Sequence, residues 1–273
     1  RFNSYLEKDF GRKSPDEVTH FDIERLKKRL YKKNLKPATI RHALEVLRRL
    51  SNFAIKRNLC AGISFVIEMP KVNNVQIEYL TEEQLVRLLQ VLAEEPNIQA
   101  ANIVRFTLFT GMRRGEIFNL MWKDINFRAK LISILDPKGG LNVTIPLNEM
   151  AEKVLTTHPK TESDYVFPGL NGGRRNNFYR PLKRIKEKAR LPDNFRMFHG
   201  LRHVYASQLA SSNKVDLYIL QKLLTQKSPL MTQRYAHLRD DTLMQASNVI
   251  SDFMEQGNQI IDIEEHLINK ESM

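Results

Sequence analysis

The spacing of apolar residues restricts this chain to a mainly helical fold. Over most of its 273 residues, apolar side chains recur every three or four positions, which is the period of an amphipathic helix. One region departs from this period: short apolar runs at 131–135 and 143–146 flank the turn sequence Asp-Pro-Lys-Gly-Gly at 136–140, a pattern typical of a β-hairpin. We therefore predict the fold class as mostly α with a small β-hairpin or sheet (α+β), and not an alternation of strands and helices.

Positive charge is concentrated in the first quarter of the chain. Residues 1–75 carry 17 of the 43 lysines and arginines but only 8 of the 31 aspartates and glutamates. The difference between these two counts accounts for most of the net charge of +12. The proline and asparagines of residues 70–74 interrupt the helical pattern. We predict a basic helical domain over 1–75 and a nearly neutral domain over 76–273. In the larger domain the capping-box pattern Thr81-Glu82-Glu83-Gln84, ahead of apolar residues from Leu85 to Leu92, predicts one helix. Further helices are predicted near 98–109, 148–156, 177–190, 199–212, 215–224 and 240–256.

The basic domain points to nucleic acid as the partner. Its predicted helices, one over 21–33 and one after the break at Pro37 with apolar residues from Ile40 to Ala54, carry cations. In the second helix these lie on the face opposite to the apolar residues, where a stripe can follow a phosphate backbone. For any single lysine a solvated helix face is the commoner meaning of such a run. Contacts to double-stranded DNA are predicted for Lys32, Lys33, Lys36, Arg41, Arg48, Arg49 and Lys56, and in the larger domain for Arg174 and Arg175.

Composition excludes several classes of protein. A chain with 42% hydrophobic and 27% charged residues is folded rather than disordered. The one cysteine, Cys60, excludes an intrachain disulfide framework and a cysteine-rich zinc site. The longest apolar stretches, such as 61–67, fall far short of the roughly 20 residues of a membrane span, and no secretory signal opens the chain. We expect a cytoplasmic protein, associated with the nucleoid when bound to DNA, without a membrane partner.

Three segments place groups that bind phosphate or transfer protons beside predicted helix ends. Gly111 is suited to ending one helix so that the next begins at once, which puts Arg113 in a first turn whose amides favour anions. The i, i+3, i+4 spacing of His199, Arg202 and His203 puts them on one helical face. The segments are Thr110-Gly111-Met112-Arg113-Arg114-Gly115-Glu116, His199-Gly200-Leu201-Arg202-His203 and Arg234-Tyr235-Ala236-His237-Leu238.

Together these segments resemble the motifs of the tyrosine recombinases, in particular the phage-type and Xer-like integrases. Their order and spacing match, and so does a lysine in a hairpin turn 25 residues after the first arginine. Residues 1–75 resemble the helical core-binding domain of the family, and 76–273 its catalytic domain. The resemblance implies an enzyme that cleaves and rejoins DNA through a 3′-phosphotyrosine, with a Holliday-junction intermediate. It also implies a homotetramer on two duplexes, while the need for accessory directionality factors stays open. No acidic cluster suggests two-metal catalysis, so neither a metal nor a cofactor is expected.

The resemblance implies a role for each matching residue. Tyr235 matches the nucleophile that becomes joined to the 3′ phosphate. Arg113 and Arg202 match the two arginines that grip the scissile phosphate. Lys138 matches the general acid for the leaving 5′ oxygen, and His199 the histidine that assists proton removal from the tyrosine.

The chemistry of these side chains fits the same roles. Guanidinium forks neutralise non-bridging phosphate oxygens bidentately, and a tyrosine with a pKa of about 10 needs nearby cations and a base to act at neutral pH. Simpler alternatives stay open for the single residues. Arg113 can pair with Glu116, with Arg114 as a competing phosphate ligand, Lys138 can be an exposed turn lysine, and His203 is expected to pack or orient its neighbours.

The sequence departs from the family pattern ahead of the tyrosine. Where the family usually has a glycine followed by histidine or tryptophan, this chain has Thr225-Gln226. Gln226 is predicted to donate its amide hydrogen to a phosphate oxygen, but it is neutral and transfers no proton, which puts the rate in doubt. Gly200 replaces the aspartate common after the motif histidine. A catalytically weak DNA-binding protein and a type IB topoisomerase-like enzyme therefore stay open as alternatives.

Both ends of the chain carry expectations of their own. The apolar residues after Gly257 either fold on their own domain or dock on a neighbouring subunit, and the resemblance implies the second. Integrases often carry a further amino-terminal arm-binding domain, and a chain that begins at Arg1 without methionine is consistent with the loss of one.

Overall fold

The computed structural model describes residues 2–72, 78–135, 141–212 and 214–239. The chain divides into two compact units, Arg1–Val75 and Gln76–Met273. The helix predicted over 240–256 and the apolar tail after Gly257 lie outside the described residues.

The first unit is a small helical domain. One π-helical turn, Phe2–Leu6, leads into α1 (Glu7–Phe10), and a 3₁₀ turn at Pro15–Glu17 precedes α2 (His20–Lys32) and α3 (Pro37–Lys56). Its core consists of the buried apolar faces of these helices: Leu6, Phe10, Val18, Ile23, Leu26, Leu30, Ile40, Ala43, Leu44, Leu47 and Ile67.

Local sequence signals set where these helices start. The Thr19 hydroxyl accepts the backbone N–H of Asp22, and the Asp22 carboxylate accepts the backbone N–H of Thr19, so that both ends of a capping box are made. Pro37 occupies the first turn of α3, where its missing N–H costs no hydrogen bond.

The second unit is built around α5, which is buried on most of its sides. Helix α4 starts at a capping box between Thr81 and Gln84, as its sequence predicts, and α5 ends at Gly111. The helices are α4 (Glu82–Ala93), α5 (Ile98–Thr110), α6 (Arg114–Asn119), α7 (Glu149–Thr156), α8 (Tyr179–Lys188), α9 (Met197–Ser211) and α10 (Leu217–Leu223), with 3₁₀ helices at Trp122–Asp124, Pro229–Met231 and Gln233–Arg239.

A three-stranded antiparallel sheet, β1 (Ile125–Asn126), β2 (Leu131–Ile134) and β3 (Val143–Pro146), interrupts the helices in the order β1-β2-β3. Ile132 pairs with Ile125 on one side and Ile145 on the other, and all three are buried. The predicted hairpin is confirmed as β2 and β3, with β1 as an added strand. The predicted fold class, mostly α with a small sheet, is confirmed as well.

A separate small core holds the carboxyl-terminal part of the described chain together. Ala206 and Ala210 on α9 pack with Leu220 on α10, with Leu224 and with Tyr235. Small residues on α9 let the tyrosine ring approach the helix closely. This cluster sets the position of Tyr235 relative to the polar face of α9.

Candidate active site

Gly111 turns the chain so that Arg113 stands at the start of α6. Its φ of 62° is in the left-handed region, and a Cβ there would lie 2.5 Å from the ring of Tyr205. Helix α5 therefore ends at Thr110, and Arg113 is the N-cap of α6 rather than a residue of its first turn.

The Arg113 side chain is held by a buried carboxylate and a distant turn. Its Nη1 donates to Glu116 Oε1 at 2.8 Å and to Thr225 Oγ1 at 2.6 Å, and Nη1 and Nη2 each lie 3.2 Å from the Thr225 carbonyl oxygen. The other oxygen of Glu116 accepts the Arg113 backbone N–H at 2.8 Å. The ion pair with Glu116, the simpler alternative for Arg113, is thus present and orients the guanidinium towards Thr225.

The second arginine, Arg202, comes from α9 and is 8% exposed. Its Nη1 donates to the Gly111 carbonyl at 2.6 Å, and its Nη2 donates to the Leu224 carbonyl. Burial, followed by the charge of Arg113, lowers the pKa of Arg202 to about 10. The guanidinium stays charged at neutral pH.

Both guanidinium groups therefore meet on one turn, Leu224–Thr225. Arg202 contacts the carbonyl of the first residue and Arg113 that of the second. Thr225 has a φ of 50°, which is unusual for a β-branched residue and is a form of strain found at functional sites. The acceptors are the carbonyl oxygens of two consecutive residues, and a phosphate group also offers oxygens to guanidinium hydrogens.

Tyr235 is a buried side chain with a single polar partner among the described residues. It is 2% exposed, and its hydroxyl lies 2.6 Å from His203 Nδ1. Burial raises the pKa of Tyr235 to about 12, against the opposing charges of Arg234 and Arg202. The hydroxyl is protonated at neutral pH and needs a proton acceptor before its oxygen can attack.

Two histidines on α9, one helical turn apart, extend the polar contacts that start at the Tyr235 hydroxyl. His203 Nε2 lies 3.0 Å from His199 Nε2, with the rings edge to face. Burial, followed by His199 and Arg234, lowers the pKa of His203 to about 3, so the ring is neutral at physiological pH. The pKa of His199 is also lowered, by loss of hydration and by Arg196. The structure thus places His203, and not His199, against the tyrosine.

Beside the two arginines lies a cavity of about 780 Å³ between α8 and the start of α9. His199, Arg113 and Arg202 line it. Four further cations and two carboxylates share its wall: Arg114, Lys183, Lys186, Arg196, Glu187 and Asp193. An excess of positive charge in a concave site favours an anionic ligand.

The predicted catalytic set has two further members, Lys138 and Gln226. Lys138 lies outside the described residues. Gln226 follows the Leu224–Thr225 turn, and its Oε1 accepts the hydroxyl of Thr232 at 2.8 Å. This bond holds the side-chain amide beside the segment that leads to Tyr235.

Most of the predicted DNA-binding side chains are exposed. Arg48 is paired with Glu45, and Arg174 donates from Nε to Asn119. The exposed set in the first unit is Lys32, Lys33, Lys36, Arg41, Arg48, Arg49 and Lys56.

Arg175 corrects the prediction made for it. It is 7% exposed, donates to the carbonyls of Phe167 and Pro168 and to Gln99, and stacks on the ring of Phe178. A guanidinium held in this way supports the loop around it and has no surface to offer to DNA.

The sequence predicts only supporting roles for His203 and Glu116, and it predicts no contact between Thr225 and Arg113. The i, i+4 spacing already put His203 beside His199, but its contact with Tyr235 joins residues 32 positions apart. Thr225 was noted only as a departure from a family pattern. No local signal indicates that its carbonyl and hydroxyl face Arg113.

Within the described ranges, no three histidine, cysteine, aspartate or glutamate side chains lie close enough to hold a metal ion. No helix in the same ranges has the length and apolar character that crossing a membrane requires.

Comparison with known proteins gives consistent matches. Residues 78–242 match the model of the phage integrase family. The chain is 26% identical over 245 residues to tyrosine recombinase XerC of Oceanobacillus iheyensis, covering 84% of this chain and 79% of that protein. It is 27% identical over 249 residues to tyrosine recombinase XerA of Saccharolobus solfataricus, covering 86% and 79%. The crystal structure of XerH site-specific recombinase bound to palindromic difH substrate shares the fold, with a TM-score of 0.69 at 21% identity over 92% of this chain and 77% of that one.

Proposed function

Because the chain belongs to the phage integrase family of tyrosine recombinases, we propose that it is a site-specific DNA recombinase that works through a 3′-phosphotyrosine intermediate. The observation that carries the proposal is the convergence of Arg113 and Arg202 on the adjacent carbonyls of Leu224 and Thr225, in the unit that also buries Tyr235. Two forked cations on neighbouring oxygens are the arrangement that a phosphodiester requires.

In the proposed reaction the Tyr235 oxygen attacks phosphorus, and the bond from phosphorus to the 5′ oxygen breaks. The 5′ oxygen takes a proton from Lys138, the predicted general acid. The guanidinium groups of Arg113 and Arg202 exchange their carbonyl partners for the non-bridging oxygens and stabilise the charge that grows there. The phosphotyrosine conserves the energy of the broken bond, so that religation to a partner 5′ hydroxyl needs no ATP.

The finer proposals concern assembly. The basic first unit would clamp duplex DNA through the exposed cations of α2 and α3, and Gln226 would donate its amide to the scissile phosphate. Four subunits on two duplexes would exchange strands through a Holliday junction, with accessory factors setting direction. The compartment would be the cytoplasm, at the nucleoid. The basic charge of the first unit and the DNA-bound XerH structure support the contact with DNA, while the assembly, the accessory factors and the compartment are proposed from the family resemblance.

Trapping of the covalent intermediate tests the function. Purified protein is incubated with duplexes of randomised central sequence, each nicked so that the cleaved end diffuses away and religation fails. We expect a protein–DNA adduct that survives denaturing electrophoresis and is lost in Tyr235→Phe. DNA binding without any adduct would favour the architectural alternative, while nick closure without exchange between duplexes would favour the topoisomerase-like one.

A further inference from the structure

The hydroxyl of Tyr235, His203 and His199 form a continuous chain of hydrogen-bonding groups that the proposed reaction does not yet use. The steps are 2.6 Å from the hydroxyl to His203 Nδ1 and 3.0 Å from His203 Nε2 to His199 Nε2. The chain runs from a buried oxygen to a ring that lines the cavity beside the arginines. Each link is within the range of an ordinary hydrogen bond.

The direction of the hydrogens follows from the partners. A buried tyrosine hydroxyl donates its proton where an acceptor exists, and His203 Nδ1 is the one acceptor that the described residues offer it. A neutral imidazole that accepts at Nδ1 carries its hydrogen on Nε2, which then donates to His199 Nε2. His199 therefore has its own hydrogen on Nδ1.

We propose that His203 is a further catalytic residue, relaying the proton of the Tyr235 hydroxyl to His199. As the tyrosine oxygen forms its bond to phosphorus, the hydroxyl proton moves to His203 Nδ1, and the Nε2 proton of His203 moves to His199 Nε2. His203 is neutral before and after the transfer, while His199 becomes an imidazolium that releases a proton from Nδ1 to solvent. Religation runs the same transfers backwards. This inference rests on the proposed function.

The charges around the relay explain why two histidines serve better than one. Arg196 just before α9, Arg202 on α9 and Arg234 beside Tyr235 act on the rings, with Glu78 as the opposing carboxylate near His199. In this field the pKa of buried His203 lies at about 3, so a charge resting on that ring is costly. Passing the proton on puts the charge on the more exposed His199.

A pair of substitutions at position 203 and at position 199 tests the relay. In His203→Asn, the amide oxygen replaces Nδ1 and still accepts the tyrosine hydroxyl, but no atom replaces Nε2. We expect the single-turnover rate of adduct formation to fall about 100-fold, within the usual range for acid–base catalysis. Adding His199→Asn should then slow the reaction by less than about threefold more, because both changes break one relay.

Controls separate a relay from a structural role. His158 is also buried, with its pKa lowered by burial, and its Nδ1 lies 3.0 Å from Asn102, so His158→Asn measures the cost of losing a buried histidine elsewhere in the unit. This control should keep the wild-type rate. On a substrate whose 5′ bridging oxygen is replaced by sulfur, which leaves without a proton from Lys138, the wild-type rate should depend on the deuterium fraction of the solvent as the square, because the two protons of the relay move together.

A result that refutes the relay can be told apart from a result that refutes the proposed function. If wild-type protein forms an adduct but His203→Asn reacts within threefold of it, or the losses at 199 and 203 multiply, the relay is refuted. A linear isotope dependence refutes it too, even where the variant fails to fold. If wild-type protein forms no adduct at all, the proposed function fails first.

Discussion

In the proposed site Thr225 would compete with phosphate for Arg113, so removing its hydroxyl should strengthen anion binding. Arg113 Nη1 carries two hydrogens and has three acceptors nearby: Glu116 Oε1, the Thr225 carbonyl and Thr225 Oγ1, the last being the closest at 2.6 Å. In Thr225→Val, the shape of the side chain is kept and this acceptor is lost. An incoming phosphate oxygen then has one competitor fewer for the hydrogens of the Arg113 guanidinium group.

The size of the effect follows from the exposure of the pair. A hydrogen bond to a charged group contributes about 1.5–3 kcal/mol when it is buried. The Arg113 side chain is 26% exposed, and water replaces part of the lost bond, so about 1 kcal/mol remains as the gain. A free energy of this size corresponds to roughly fivefold tighter binding.

An NMR titration with inorganic phosphate measures this gain without a known DNA target. We expect the dissociation constant to fall about fivefold in Thr225→Val and to stay near the wild-type value in the matched control Thr225→Ser, which keeps the hydroxyl. If the valine variant binds phosphate as weakly as the serine variant, or more weakly, Thr225 does not compete for Arg113 and the reasoning is refuted.

Three further predictions concern stability. The hydrogen bond from Lys13 lowers the pKa of Asp22 from 3.8 to about 2, so Asp22 stabilises the first unit by about 2 kcal/mol above pH 4 and loses this contribution as the pH falls towards 2. Urea unfolding of Asp22→Asn should show that loss at pH 7 and a smaller difference at pH 2.5; an unchanged difference contradicts the assignment. Arg175→Met should lower the free energy of unfolding by about 3 kcal/mol, since it leaves buried carbonyls without donors, whereas Arg174→Met should change it by less than about 0.5 kcal/mol. Gly111→Ala should destabilise the second unit by about 1–2 kcal/mol for left-handed backbone alone, and a thermal melting temperature equal to wild type speaks against the strained turn.

Local sequence patterns predicted the helices and the hairpin well because their signals are local. The capping box at Thr81, the left-handed end at Gly111 and the alternation of Ile132 and Ile134 each act within a few residues. The same holds for the shared face of His199 and Arg202. These features follow from periodicity and backbone chemistry alone.

Long-range contacts explain what the sequence left open. Arg174 and Arg175 are identical neighbours in the sequence, but only Arg175 reaches Gln99 and the ring of Phe178, and those contacts bury it. The strand β1 is two residues long, too short to give an alternating pattern, and exists because β2 pairs with it. Such outcomes depend on which elements meet.

The partners of Tyr235, the candidate nucleophile, are also set by long-range contacts. The sequence predicts only a packing or orienting role for His203, because its partner Tyr235 lies 32 residues away from it. Thr225 adopts a left-handed backbone that no β-branched residue favours. Its position is enforced by the hydrogen bonds from Arg113, which sequence spacing does not reveal.

The central claim is that Tyr235 joins covalently to a DNA 3′ phosphate held by Arg113 and Arg202. Mass spectrometry of the trapped adduct after digestion with protease and nuclease tests it most directly. The account predicts a nucleotide attached through its 3′ phosphate to Tyr235, a 5′ hydroxyl on the released strand, and no adduct when either arginine is replaced by alanine. An attachment at any other residue, or through a 5′ phosphate, would contradict it.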